Sequence, residues 1–377
     1  MPSSLHLIDS YLPRTETFIW QTLCKLRRFP PVVAADRLEN LDAFPLPSGE
    51  FLNLHPSRSV WSKVSARVRG DFAPVRYAGG LQAVRDRDLA VCHVHKGFRA
   101  LVTRTFTREI GLPLLVNFYG SDVSQKPFLR RAARGYGEVF AQARFLLVEG
   151  PAMRQRLLEL GAPEEKIREQ RIAIDPQDYP LRERNWDGNR PIHLLFVGRL
   201  VEKKGLEIAL RALSDPRVDF PWRLTVIGDG PLGPRLRALA NKLGIGDHVD
   251  FVGSRSLDEL RAALQAHDLL LQPSRIAPDG DSEGGAPTVI LEAQACGMPV
   301  LSTAHADIPH ITLPGQSAWL APEGDAVALA YLMRRAAEEA DRWDIMGRAG
   351  RYKIETDHDV NRTILHLEDL YAEASQA

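Results

Sequence analysis

Short apolar runs alternate with longer amphipathic stretches along this chain, and that alternation limits the possible folds more than any other feature. In the first half, LAVCHVH (89–95), PLLVNFYG (113–120) and RFLLVEG (144–150) read as strands. In the second half, HLLFVG (193–198), RLTVIGDG (223–230), HVDFVG (248–253), DLLLQPS (268–274) and MPVLST (298–303) repeat the pattern. Helical periodicity fills the intervals 151–161, 205–214, 233–243, 257–266 and 288–296, and an amphipathic helix spans 361–374. Runs apolar on both faces are buried on both faces, so they predict parallel sheets covered by helices rather than half-solvated hairpins. At 377 residues the chain exceeds one domain of about 150. The polar segment RERNWDGNRP (182–191) divides the two strand series. The expectation is an α/β protein of two Rossmann-like, doubly wound domains. They cover residues 1–185 and 186–354, followed by a C-terminal helix within 355–377. Ligands of such domains bind at the carboxyl ends of the strands, which places the site in a cleft between the two.

Composition narrows the class. Hydrophobic residues make up 44% and charged residues 25%, as in an ordinary soluble globular protein. No run of 18 apolar residues occurs, and MPSSLHLIDSYLPRTE lacks the layout of a secretory signal. Three widely spaced cysteines, Cys24, Cys92 and Cys296, suit reduced thiols in cytoplasm rather than a disulfide frame or a zinc site. Net charge is zero, but residues 1–185 carry 28 basic against 20 acidic side chains and the remainder the reverse. Clusters at Lys25, Arg27 and Arg28, and at Lys126, Arg130, Arg131 and Arg134, could hold an anionic acceptor, a membrane surface or nucleic acid. Charge runs of this kind are also often plain solvated faces.

Asp279–Val300, DGDSEGGAPTVILEAQACGMPV, sets an acidic, glycine-rich loop against the start of a helix. Pro287 suits a first helical position, and Gly284 and Gly285 let backbone approach a ligand. Free N–H groups at the helix start attract phosphate. Glu283 in the loop and Glu292 on the helix are poor phosphate ligands but good acceptors for sugar hydroxyls. Phosphate and hydroxyl recognition side by side describe a nucleotide-sugar site, although many acidic loops before helices bind nothing. Ahead of it, GRLVEKKG (198–205) puts Arg199 and Lys204 at a strand end, where an Arg fork and a Lys point charge suit a diphosphate.

Two motifs point elsewhere. Gly228, Gly230 and Gly233 spell GxGxxG after a strand, with Asp250 as a ribose acid, the pattern of a nicotinamide enzyme. They stand in the middle of their strand series, whereas the fingerprint belongs to the first strand–helix turn. His93 and His95 share one strand face, but a metal would need a third ligand and none is near in sequence. His305 either faces the donor pocket or is a satisfied loop histidine.

GRLVEKKG, IGDGPL, FVGS and EGGAPTVILEAQACGMPV, in this order over about residues 190–310, resemble the donor-binding domain of family-4 retaining glycosyltransferases with the GT-B fold, of the bacterial surface-polysaccharide type. LPRTETFI (12–19), HVHKG (93–97), FYGSD (118–122) and LEDLY (367–371) agree with the rest of that family, whose last helix crosses back to the first domain. The resemblance implies a nucleoside-diphosphate-sugar co-substrate, no other cofactor and no metal, since Gly198, Arg199 and Lys204 would receive the diphosphate. It implies Glu292 on the ribose, Glu283 on the transferred hexose, Gly284, Gly285, Ala286, Pro287 and Thr288 around sugar and phosphate, and Val252, Gly253 and Ser254 at the base. Acceptor-side expectations are Thr15, Glu16, His95, Tyr119 and Asp122, and the catalytic set the resemblance implies is Arg199, Lys204, Glu283 and Asp122. The acceptor would be a saccharide, a lipid-linked saccharide or a small molecule, met in cytoplasm or at the inner membrane face, with no nucleic acid involved.

Three positions depart from the family pattern. Eight residues separate Glu283 and Glu292 where seven are usual. Tyr119 stands where many relatives have His, which shifts the acceptor-side choice to Asp122. LPRTETF replaces a glycine-rich first loop. The family's retaining reaction lets the leaving phosphate take the acceptor proton while the protein supplies positioning and charge, in keeping with the lack of an evident nucleophile. A covalent glycosyl-enzyme route would need a carboxylate under the sugar. A nucleotide-sugar 2-epimerase or a non-catalytic sugar-nucleotide binder would share the fold.

Overall fold

The computed structural model describes residues 2–13, 16–57, 71–77 and 79–376. The chain forms two compact units, Met1–Ala173 with Val360–Ala377, and Ile174–Asp359.

In the first unit the strands are β1 (Ser3–Tyr11), β2 (Pro31–Leu38), β3 (Glu50–Asn53), a small pair β4 (Pro56–Ser57) and β5 (Arg76–Tyr77), then β6 (Leu89–His95), β7 (Leu114–Asn117), β8 (Phe145–Val148) and β9 (Ile167–Glu169). The main sheet runs β3-β2-β1-β6-β7-β8-β9, all parallel. Side chains alternate with period two. Leu5, Leu7, Val32, Ala34, Cys92, Val94, Leu114 and Val116 join one core. Ile8, Val33, Ala35, Val91, Leu115, Phe145 and Leu147 join the other. The second core is closed by the C-terminal helix Val360–Ser375 through Ile364, Leu367, Leu370 and Tyr371. Glu368 fastens that helix by accepting the Arg27 and Arg28 backbone N–H groups at 2.6 and 2.7 Å.

The second unit holds β10 (Ile192–Val197), β11 (Trp222–Ile227), β12 (Val249–Gly253), β13 (Leu269–Gln272), β14 (Val300–Thr303) and β15 (Ala318–Ala321), ordered β12-β11-β10-β13-β14-β15 and parallel throughout. In both sheets the first strand of the unit lies between its second and fourth. The order reverses there, between β1 and β6 and between β10 and β13, and this is where doubly wound sheets bind ligands.

The division falls at Ile174, ahead of the polar segment expected to separate the domains, and again at Val360 rather than 355. The reason is local bonding. Arg184, only 2% exposed, donates to the carbonyls of Cys296 and Leu264 at 2.7 Å each and of His267 at 3.0 Å. Arg182 N–H donates to Cys296 at 3.1 Å. What reads as a linker is a strap on the second unit.

Candidate functional site

At the switch point of the second sheet, β10 gives way to a turn of 3-10 helix, Glu202–Lys204, and then to the helix Leu206–Leu213. Gly205 joins them at φ 70°, and a Cβ there would lie 1.8 Å from the Pro273 carbonyl oxygen. Only glycine lets this turn rest directly on the chain leaving β13. Lys204 consequently runs over Gly198, whose added Cβ would meet its Cδ at 3.3 Å. The Lys204 ammonium ends 3.0 Å from the Glu283 carboxylate. Ser274 Oγ donates to the same carboxylate at 3.0 Å. Burial alone would push the Glu283 carboxyl up. The charges of Lys204 and Lys203, with the hydrogen bonds from Lys204 and Ser274, outweigh it and hold the group below the ordinary glutamate range.

The acidic loop is pinned from three directions. Lys203, 6% exposed, reaches Asp281 at 3.1 Å and the Ser282 carbonyl at 2.9 Å. The Glu283 backbone N–H donates to His305 Nε2 at 3.1 Å, and His305 Nδ1 lies 2.8 Å from Glu323. That network assigns the proton to Nδ1 and leaves Nε2 as acceptor, so His305 supports the loop. The Asp307 N–H donates to the Gly285 carbonyl at 3.0 Å, and Gly284 N–H to Ser282 Oγ at 3.0 Å. Pro287 occupies the cap position before Thr288–Ala295 rather than the first helical one. Its φ of −61° serves equally well there, paired with an extended ψ of 127°. Its cap residue Pro287 makes no side-chain capping bond, and the free N–H groups of such a helix start are the kind that attract anions.

Glu292, on that helix, is 5% exposed and accepts the Tyr179 hydroxyl at 3.1 Å. Burial pushes its carboxyl up, against the hydrogen bond from Tyr179 and the charge of Arg261. Arg261 lies 5.4 Å above the Tyr179 ring and pairs with Asp178. Arg199 is exposed and makes no ion pair among the described residues. Gly253 turns at φ 74° next to Ser254, whose N–H donates to Asp229 at 2.7 Å. The glycines of the GxGxxG run have another use. A Cβ at Gly228 would lie 2.0 Å from the Gly198 oxygen, and one at Gly230 2.6 Å from that of Leu200. They let the loops after β10 and β11 interlock, which removes the ground for a dinucleotide fingerprint.

In the first unit, Asp122 is 4% exposed and its carboxylate accepts the N–H groups of Gly97, Phe98 and Tyr119 at 2.9, 3.2 and 3.2 Å. It thereby caps the helix Gly97–Ile110, whose own cap residue Lys96 supplies no side-chain bond. Burial raises the Asp122 carboxyl to about 6 despite these donors. Tyr119 packs edge-on to Phe18, with centroids 5.3 Å apart. Glu16 pairs with Lys96. Thr15 lies outside the described residues. His95 belongs to a buried trio with His93 and a third histidine, His6, brought alongside by β1. His6 Nδ1 and His95 Nε2 are 3.0 Å apart, His6 Nε2 meets Ser4 Oγ at 2.9 Å, and His93 bridges the Tyr371 hydroxyl and Asn117 Oδ1 at 2.5 Å each. Every ring nitrogen except His95 Nδ1 thus has a protein partner. Burial pushes all three rings below the ordinary histidine range, His93 to about 4.

Comparison with known proteins places this chain in a family. Residues 181–353 match the model described as glycosyl transferases group 1, and residues 45–170 match the glycosyl transferase 4-like domain. The chain is also 30% identical to a GDP-mannose-dependent phosphatidylinositol monomannoside mannosyltransferase of Mycobacterium tuberculosis, over 79% of this chain and 71% of that protein. The chain belongs to the group 1 glycosyl transferases. Other relatives of the family include the amylovoran biosynthesis glycosyltransferase AmsK of Erwinia amylovora, 37% identical over 64% of this chain, and the putative colanic acid biosynthesis glycosyltransferase WcaL of Escherichia coli, 33% identical over 71%. The chain spans less than two thirds of these two relatives, 59% and 66% respectively. Among solved structures, HepE of Anabaena with UDP-glucose superposes with a TM-score of 0.78 at 16% identity, covering 99% of this chain and 100% of that one. The fold is therefore GT-B.

In this group 1 member the sequence singles out Lys204, Glu283 and Glu292 but not the residues that hold them. Lys203 looks interchangeable with Lys204 until the 3-10 turn sends the two in different directions. Ser274 carried a weak signal, standing just past the apolar run of β13. Tyr179 and Glu323 carried none, because nothing near them in sequence marks a partner for Glu292 or for His305.

Proposed function

We propose that this chain is a retaining, metal-independent glycosyltransferase that moves a hexose from a nucleoside diphosphate to a hydroxyl acceptor in surface-glycan assembly. The observation that carries the reading is the meeting of Lys204 and Glu283 at the switch point, 3.0 Å apart and beside a helix start whose cap residue makes no side-chain capping bond. In the apo arrangement these two charges neutralise each other. A bound donor divides them, Lys204 turning to the diphosphate with Arg199, and Glu283 accepting a hydroxyl of the sugar. Gly198, Gly284, Gly285, Ala286 and Thr288 offer backbone around the phosphate and sugar. Glu292 takes the ribose hydroxyls, oriented by Tyr179, and Val252, Gly253 and Ser254 line the base.

Bond exchange then needs no protein nucleophile. The donor's anomeric C–O bond breaks as the acceptor oxygen bonds to the same carbon on the same face. The acceptor proton passes to the departing phosphate, whose charge Arg199 and Lys204 stabilise. Asp122, committed to three backbone N–H groups, acts by positioning the turn at Gly97. AmsK and WcaL, named for exopolysaccharide synthesis, support a saccharide or lipid-linked saccharide acceptor. No helix among the described residues is long and apolar enough to cross a membrane. The exposed Lys126, Arg130, Arg131 and Arg134 of the helix Lys126–Gln142 are suited to peripheral contact with anionic lipid.

The test incubates the protein in EDTA with UDP-, GDP- and ADP-hexoses and saccharide acceptors. It follows acceptor-dependent release of nucleoside diphosphate and reads the product's anomeric proton by NMR. A product with the donor's configuration is expected. An inverted product, or loss of turnover in EDTA, would overturn retention or metal independence. Acceptor-free conversion of the donor into an isomer would indicate the epimerase.

A further inference from the structure

The switch point of the first sheet carries its own charge pair, on the two strands between which the order reverses. Glu16 follows β1 and Lys96 follows β6, with the Lys96 ammonium 2.5 Å from Glu16 Oε1. Two features set this pair apart from an ordinary surface bridge. Lys96 holds φ 82° and ψ 135°, outside the left-handed helical well and in territory that side chains other than glycine avoid. Its neighbours fix it there. The β6 strand is buried up to His95, and a Cβ at Gly97 would lie 2.6 Å from the Tyr136 hydroxyl and 2.8 Å from the Phe118 ring. The Gly97 and Phe98 N–H groups are bound to Asp122. Second, Glu16 Oε2 is buried and has no hydrogen-bond partner among the described residues. Strain of this kind gathers at functional sites, and a buried carboxylate oxygen without a donor calls for one.

We infer that Glu16 and Lys96 form a clamp for adjacent hydroxyls of a neutral pyranose, the acceptor sugar of the proposed transfer. This deepens the proposed function and rests on it. The pair supplies one anionic acceptor and one cationic donor with no net charge, which suits a diol and gives no preference for phosphate. The side chains are 28% and 16% exposed, open enough to meet a ligand. The terminal torsion of a glutamate is soft, so Oε2 can turn to a hydroxyl presented from the exposed side. Tyr119 stands near Glu16, edge-on to Phe18, and adds an aromatic surface for the C–H face of a sugar.

The experiment uses the full chain saturated with whichever of UDP or GDP it binds. Binding of methyl glycosides of glucose, galactose and mannose is measured by saturation-transfer NMR titration, with inorganic phosphate as competitor. At least one glycoside binds the wild type, and phosphate does not displace it. Glu16→Gln and Lys96→Met weaken that binding about ten- to hundredfold, the loss of one hydrogen bond to a charged group, while affinity for the nucleoside diphosphate is unchanged. Lys96→Gly separates clamp from scaffold: both variants lose the ion pair, but Lys96→Gly relieves the backbone, so it melts no lower than Lys96→Met while losing glycoside affinity to the same extent. Equal glycoside affinity in the variants, no glycoside bound, or displacement by phosphate would each overturn the clamp. If the nucleoside diphosphate still binds in those cases, the clamp alone has failed. If no nucleoside diphosphate binds the wild type, the proposed function fails with it.

Discussion

Replacing Lys204 by Met keeps the length of the side chain over Gly198 and removes only its charge. Glu283 would then be left 7% exposed without its nearest cation. Removing one partner of a buried pair costs about 3–5 kcal/mol. The lower end applies here, because Ser274 still donates and the Lys203 charge remains close. A loss of about 3 kcal/mol lowers the folding equilibrium more than a hundredfold. For a unit of this size it lowers the melting temperature by about 6–12 °C. Urea titrations at pH 7 would measure it, alongside Glu283→Gln and the double variant. The double variant should recover about 2 kcal/mol relative to the sum of the singles, since no buried charge is then unpaired. The pH dependence has a definite sign. Glu283 is held below its unfolded value, so its contribution is present above about pH 4.3 and is lost as the pH falls further. The Lys204→Met penalty should accordingly shrink as the pH falls from neutrality towards about 4, because the stranded carboxyl, pushed up by burial and no longer held down by Lys204, takes up its proton at a higher pH than in the wild type. A variant within about 0.5 kcal/mol of wild type at pH 7, or additive singles, would refute the pairing argument.

Arg199→Ala should leave stability within about 0.5 kcal/mol, as for an exposed side chain without partners, and reduce transfer at least tenfold; paired melting and turnover measurements check both. Tyr179→Phe removes the hydroxyl that Glu292 accepts, and should cost about 1–3 kcal/mol of stability and weaken donor binding, read by calorimetry. His93, depressed to about 4, makes the first unit less stable as pH falls from about 6.5 to 4, by about 3 kcal/mol, because the unfolded chain takes up the proton more readily. Asp122, raised to about 6, opposes this over pH 6 to 4, so Asp122→Asn should steepen the acid loss seen in amide protection of β1 and β6. Gly205→Ala must move the chain at Pro273, and should lower both melting temperature and turnover.

Parallel strands apolar on both faces were legible at β13 and β14, but β2 and β15, equally apolar over Val32–Ala35 and Ala318–Ala321, were not read from the sequence. Strand β1 was not, because SSLHLIDSY buries Ser4, His6 and Ser10 and shows neither an apolar run nor a clean alternation. For the same reason His93 and His95 lacked a visible third partner: His6 reaches them only through the β1–β6 pairing. The segment 182–191 was read as a linker because Arg184 has the composition of a surface residue, although its guanidinium is spent on buried carbonyls. The charged ends of the loops after β10 and β13 were legible as residue types in a recurring order. Their partners were not, since Ser274, Tyr179 and Glu323 join Glu283, Glu292 and His305 only once the strand ends are brought together. Lys96 was legible only as part of HVHKG, and its pairing and strain were not, as its backbone angle follows from the packing of Gly97 against Phe118 and Tyr136.

The most direct test of the donor site is calorimetric titration of wild type and Lys204→Ala with UDP, GDP, ADP and NAD in EDTA. Wild type should bind one of the three nucleoside diphosphates without metal, and Lys204→Ala should bind it at least tenfold more weakly, the loss of a charge-assisted contact. Binding of NAD alone, or equal affinity of the two proteins for the nucleoside diphosphate, would contradict a donor site built on Lys204 and Glu283.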